Sequence, residues 1–169
     1  NLSARQFEQP DLVEKIAGVL NEAGLNPHDL VLEITENLLM EDARHAAGTL
    51  DGLKELGVRL AVDDFGTGYS SLSRLERFPA DFLKIDRSFV EKLGRGRGNA
   101  AVIVSALIGV ARTLGIETIA EGVESSEQLE ELWEMECDMG QGYYLSEPLP
   151  GHAATELLRP DRGAQDDGA

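Results

Sequence analysis

A chain of 169 residues with 42% apolar residues can bury one sizeable core and has no room for an autonomous second one. Fifteen Lys and Arg against 31 Asp and Glu leave a net charge of −16, which excludes sequence-independent binding to long nucleic acid, a task for basic surface. No apolar run approaches the roughly 20 residues of a membrane span, no leader-like region opens the chain, and Cys137 is the only cysteine, so the expectation is a soluble domain with no membrane contact in a reducing compartment, the cytoplasm.

In chain order, Asn1, Leu2 and Ser3 read as the end of a strand entered without its beginning, and therefore as a truncated chain. Leu12, Ile16, Val19 and Leu20 share one helical face, and Gly24 follows where a left-handed cap belongs. A strand over 30–35 leads to a second helix carrying Ala46, Leu50, Leu53 and Leu56, closed by Gly57. Strands follow at 58–63 and 82–86, then an apolar helix over 102–114 closed by Gly115 and a strand over 116–121. Leu129 and Leu132 mark another helical stretch, whose Trp133 and Met135 are expected in the core. Cys137 reads as a buried or turn thiol, and His28, His45 and His152 have no nucleophilic partner and no assigned role. A last strand over 139–145, a short helix over 151–158 and a polar, disordered tail over 159–169 complete the chain.

Strands separated by single helices imply parallel crossovers, in an open doubly wound sheet or a closed barrel. Glu33, Asp63, Asp64, Asp86 and Glu121 fall at or near the carboxyl ends of four predicted strands. A barrel converges those ends on one mouth, where barrel enzymes keep their chemistry, whereas an open sheet spreads them. The fold class is therefore α/β, a TIM-like (β/α) barrel seen as roughly its last six strand-helix units. Residues 1–158 would form its C-terminal two-thirds, with two units upstream. Isolated residues 1–169 would expose two unpaired sheet edges and be poorly stable, so activity is expected only from a longer chain.

Asp63 and Asp64 are adjacent carboxylates at the end of an apolar strand, a costly arrangement unless a cation lies between them. Glu33, Asp63, Asp64 and Glu121, with the amide oxygen of Asn1, supply hard oxygen ligands for one or two divalent ions such as Mg²⁺. Taken singly, each of these acids fits a helix cap or a solvated position as well as a ligand; taken together at neighbouring strand ends they fit a shared cation better. Lys84 shares a strand face with Phe82 and Asp86, as a counter-ion to the carboxylates, as a group orienting an attacking water, or as both. The stretch from Gly66 through Thr67, Gly68, Tyr69, Ser70 and Ser71 suits either a mobile loop over the site or a turn capped by a serine. Glu36 and Glu124, three residues beyond Glu33 and Glu121, either anchor that loop or are solvated.

Taken in order, Asn1-Leu2-Ser3, Glu33-Ile34-Thr35-Glu36, Asp63-Asp64-Phe65-Gly66-Thr67-Gly68-Tyr69-Ser70-Ser71, Lys84-Ile85-Asp86, Ala120-Glu121-Gly122-Val123-Glu124 and Gln141-Gly142-Tyr143 resemble the motifs of the EAL domain family over about residues 1–150. The resemblance implies a bacterial phosphodiesterase that linearises cyclic di-GMP with Mg²⁺ or Mn²⁺ on a TIM-like barrel. It implies that Asn1, Glu33 and Asp63 bind one metal, and that Asp63, Asp64 and Glu121 bind a second, with Asp63 bridging. Lys84 and Glu121 would be catalytic, one orienting the water and the other accepting its proton. Glu36 and Glu124 would anchor the glycine loop, and Gln141, Asp86 and Pro148 would contact substrate. The Glu-Ala-Leu signature, whose glutamate is a metal ligand, and a phosphate-gripping arginine would lie upstream of Asn1. Fusion to sensory or diguanylate cyclase-type modules is implied, and a homodimer is compatible with it.

The competing expectation on the same fold is a catalytically inactive cyclic di-GMP receptor or partner-binding domain. An enolase-type barrel, with carboxylates holding Mg²⁺ and a lysine abstracting a proton, fits the adjacent Asp63 and Asp64 poorly.

Overall fold

The computed structural model of the chain describes residues 1–36, 38, 43–66, 75, 78–94 and 98–158. Five short aliphatic segments form one sheet: β1 (Val31–Thr35), β2 (Arg59–Phe65), β3 (Phe82–Ile85), β4 (Glu117–Glu121) and β5 (Met139–Gln141). Their order is β1-β2-β3-β4-β5 and every neighbouring pair is parallel. Leu2 adds an isolated parallel bridge to Ile34, its amide donating to the Glu33 carbonyl at 2.8 Å. A doubly wound sheet reverses its strand order at a switch point. Here spatial order follows chain order throughout, as in a sheet that curls into a barrel. The fold is α/β and TIM-like, as the spacing of the polar strand ends predicts.

The intervening segments form α1 (Ala4–Phe7), α2 (Leu12–Ala23), α3 (Ala43–Leu56), α4 (Arg87–Val90), α5 (Asn99–Leu114), α6 (Ser126–Glu134) and α7 (Gly151–Leu157). Helices α2 and α5 end at the expected left-handed glycines, Gly24 and Gly115, and Gly57 after α3 also has positive φ. Leu12, Leu20, Leu50 and Leu53 of α2 and α3 pack with Leu32, Ile34 and Leu60. Val104 and Ile108 of α5 pack with Ile85 and Ala120, and Ala111 with Val62 and Leu83. Side chains alternate across a strand, so with Leu32, Ile34, Leu60, Val62, Leu83, Ile85 and Ala120 on the helix side, Glu33, Ala61, Asp63, Phe82, Lys84, Ile119 and Glu121 face the opposite side. That alternation places the ionisable residues together.

At the amino ends of the strands, two aspartates fix neighbours. Asp81, just before β3, accepts from the Leu60 amide at 2.7 Å and pairs with Lys54 Nζ at 2.7 Å. Asp138, just before β5, accepts from both the amide and the hydroxyl of Thr118 at 2.8 Å. Leu60 and Thr118 are each the second residue of their strand.

Two expectations change. The strand expected over 139–145 stops at Gln141. There the Val123 amide donates to the Gln141 carbonyl at 3.0 Å, Tyr144 returns a bond to the Val123 carbonyl, and the chain turns. Gly142 lies so close to the Val123 backbone that a Cβ there would overlap it. Trp133 is 79% exposed, not in the core. The buried stripe of α6 runs through Gln128 and Leu132, with Met135 packed just beyond it, and Trp133 lies off that stripe.

Candidate metal centre and active site

Lys84 is 4% exposed at the centre of the helix-free face of the sheet. Its Nζ lies 2.8 Å from Glu33 Oε1 on β1, 3.1 Å from Asp63 Oδ1 on β2 and 2.7 Å from Glu121 Oε1 on β4. Burial opposes its charge, but the hydrogen bonds to Glu121, Glu33 and Asp63 outweigh that penalty and hold the ammonium above the ordinary lysine range.

The paired aspartates need a local departure from strand geometry. In a regular strand Asp63 and Asp64 would point to opposite faces. Instead, the β2–β3 register shifts between Val62 and Phe65, and Asp64 takes a left-handed backbone with φ 57°. Aspartate tolerates that conformation better than most side chains. As a result, carboxylate oxygens of Asp63, Asp64 and Glu121 all lie within 4.8 Å of one another.

This group suits a hard divalent ion. Oxygens bound to one Mg²⁺ at about 2.1 Å stand within about 4.2 Å of one another, so three carboxylates already gathered within 4.8 Å need little movement to share an ion. Their charge calls for one as well. Among the described residues, four carboxylates (Glu33, Asp63, Asp64, Glu121) against one ammonium (Lys84) leave −4 + 1 = −3, counting each side chain as ionised. Burial raises the Glu121 carboxyl above its ordinary value; Lys84 opposes that rise, while Asp63 and Glu33 add to it. Burial likewise raises Asp64, reinforced by Asp63 and Asp86 and opposed by Lys84. A cation among these groups relieves both strains.

Glu36 is buried just beyond β1, and its Oε2 accepts from the Gly66 amide at 3.2 Å. Gly66 begins the glycine segment; Thr67, Gly68, Tyr69, Ser70 and Ser71 lie outside the described residues, as do the tail over 159–169 and the side chain of His45. Glu124 Oε1 pairs with Arg87 Nη2 at 2.7 Å. Asp86 accepts from the Ser88 amide at 3.0 Å and caps α4. Gln141 is exposed and lies opposite Glu121 in the β4–β5 register. Asn1 is exposed beside the Leu2–Ile34 bridge, Pro148 is exposed beyond β5, and His28 and His152 are exposed. The structure thus brings Glu33, Asp63, Asp64, Lys84 and Glu121 into one cluster, with Glu36 bracing the turn behind Asp64. Arg87, absent from the expected site, also reaches this rim. A basic residue directly after the strand-end Asp86 was the signal for it.

A family model described as EAL domain matches residues 1–148. The bifunctional diguanylate cyclase/cyclic di-GMP phosphodiesterase MucR of Pseudomonas aeruginosa is 45% identical over 158 residues, which are 94% of this chain and 22% of MucR. Curated relatives at this level are much longer, and the chain spans 19% to 26% of their length. The cyclic di-GMP complex of the PaMucR phosphodiesterase superposes with a TM-score of 0.86 at 43% identity, covering 91% of this chain and 62% of that one. The manganese/cyclic di-GMP complex of Klebsiella pneumoniae BlrP1 gives a TM-score of 0.75 at 34% identity, covering 82% and 35%.

Proposed function

The chain belongs to the EAL domain family, and from that premise we propose that it carries the metal-binding heart of a phosphodiesterase hydrolysing cyclic di-GMP to the linear dinucleotide. One observation carries the reading: the bulge that turns Asp64 back beside Asp63 and Glu121, next to a lysine ringed by carboxylates. A purely structural sheet has no use for that concentration of acid.

Asp63, Asp64 and Glu121 would hold one Mg²⁺ or Mn²⁺, and Asn1, Glu33 and Asp63 a second, with Asp63 shared. When bound, such ions neutralise the phosphodiester, lower the pKa of water and stabilise the leaving oxygen. Lys84 Nζ, staying charged, would turn one of the three donors it gives to Glu33, Asp63 and Glu121 toward the attacking water and orient it. Glu121, already raised in proton affinity, receives the water's proton at a carboxylate oxygen. Glu36 keeps the turn after Asp64 in shape through Gly66, with Glu124 steadying the same rim. Gln141, Asp86 and Pro148 contact the dinucleotide. The 62% share of the PaMucR chain that is covered supports residues 1–158 as the C-terminal two-thirds of the barrel. The greater length of the relatives supports one module beside sensory or cyclase-type modules.

The test is chromatography of the linear product from cyclic di-GMP, with the complete domain in Mg²⁺ or Mn²⁺. Turnover is expected, and Asp63→Asn should abolish it. Retained activity in that variant would remove Asp63 from the metal set. Binding of cyclic di-GMP with no turnover by the unmodified domain would make it a receptor instead.

A further inference from the structure

The turn that follows Glu121 is held from outside the cluster. Gly122 has φ 71°, and Cβ, Cγ and Cδ of Arg87 occupy the space beside it so that a Cβ at position 122 would overlap them. The guanidinium at the far end of that stem is fixed by Glu124 at 2.7 Å. Glu124 is itself held, its amide donating to Gln128 Oε1 at 2.7 Å, and Gln128 is buried at the start of α6. One side chain from the end of β3 therefore lies across the backbone joining Glu121 to Glu124 and is fastened at its tip.

We propose that Arg87 is a positioning residue for Glu121: its stem, anchored by Glu124, fixes the Glu121–Gly122 turn so that the Glu121 carboxylate meets both Lys84 and the Asp63–Asp64 pair. The Arg87–Glu124 ion pair is solvent-exposed, with side-chain exposures of 58% and 45%, so it contributes little to stability. Its effect is geometric. A carboxylate that drifts by an ångström leaves a metal's ligand sphere, because Mg²⁺ demands near-ideal geometry. Glu124 thereby acts on the site through Arg87.

The proposal rests on the metal-dependent reading above, so its test separates metal binding from turnover. In the complete chain, Mn²⁺ affinity is measured by isothermal titration without substrate, then kcat and KM for cyclic di-GMP, for Arg87→Ala, Glu124→Gln and the double variant. Arg87→Ala should weaken Mn²⁺ binding about tenfold and lower kcat with KM nearly unchanged. Glu124→Gln should act in the same direction but less, and the double variant should be no worse than Arg87→Ala, with every melting temperature near that of the parent. Unchanged Mn²⁺ affinity in Arg87→Ala overturns the proposal, as do additive losses in the double variant or a rise confined to KM, which would place Arg87 on the substrate. If the parent binds Mn²⁺ and Arg87→Ala weakens it although neither turns over cyclic di-GMP, the positioning role stands and the phosphodiesterase reading falls. If the parent turns over substrate and Arg87→Ala keeps its Mn²⁺ affinity, only the positioning role falls.

Discussion

Replacing Lys84 with methionine keeps the length of the stem and removes the cation that, among the described residues, Glu33, Asp63 and Glu121 share at 2.8, 3.1 and 2.7 Å. Removing one partner of a buried ion pair costs about 3–5 kcal/mol. The three carboxylates keep side-chain exposures of 27%, 14% and 21%, and water screens part of the loss, so the low end, about 3 kcal/mol, applies. For a chain of this size that is a fall in melting temperature of roughly 6–12 °C. The cluster moves from −3 to −4, and one divalent ion brings the variant to −2 and the parent to −1. Saturating Mn²⁺ at about 100 times its Kd adds about 2.7 kcal/mol to the parent and should add more to the variant, narrowing the gap to less than half. Differential scanning fluorimetry of both proteins, with and without Mn²⁺, measures this directly. A metal-free variant melting within about 2 °C of the parent would refute the counter-ion argument. So would a gap that the metal leaves unchanged.

Asp64→Asn keeps a residue that tolerates left-handed backbone, so it should weaken Mn²⁺ binding at least tenfold with little change in melting temperature. Asp64→Val should lose the same affinity and a further ~1–2 kcal/mol of stability; titration and melting of the pair separate charge from conformation, and wild-type affinity in Asp64→Asn would exclude Asp64 as a ligand. Glu121 and Asp64 both sit above ordinary carboxylate values. In the metal-free fold they therefore bind more protons than the unfolded chain does, their contribution to stability falls as pH rises through that raised window, and metal affinity rises over the same interval as protons leave. Calorimetric titrations from about pH 4.5 upward should show tightening affinity with proton release, and a flat profile would contradict the shifts. Asp138→Ala leaves the buried Thr118 amide and hydroxyl without their acceptor and should cost about 2–3 kcal/mol in denaturant unfolding, with turnover per folded molecule unchanged.

The barrel was legible in the sequence because its evidence is periodic: apolar runs alternate with helical stripes, and the acids fall at strand ends. The partners of Lys84 followed from two-residue alternation alone, since Glu33, Asp63, Lys84 and Glu121 sit on one face of neighbouring strands. Asp64 was placed with them by its charge beside Asp63 and by the family motif; alternation alone aims it away, and the bulge that reverses it was not legible. Trp133 misled because its aliphatic neighbours suggested a core stripe, whereas the buried stripe runs through Gln128, Leu132 and Met135. Arg87 escaped notice because its role depends on contact with a glycine 35 residues later.

The aspartates at the amino ends of β3 and β5 give this scaffold a division of labour. Asp81 and Asp138 hold their neighbouring strands at the end remote from the acidic mouth, so the register of the sheet is set without help from the residues that crowd charge together. A lineage could lose the Asp64 charge, which makes none of the ion pairs to Lys84, and keep the same sheet, relieved of some repulsion from Asp63 and Asp86. Such a descendant would still present a shaped mouth but would hold a divalent ion less tightly. The route from a metal-gathering mouth to one that no longer gathers metal is therefore short, and the frame that holds the strands does not stand in its way.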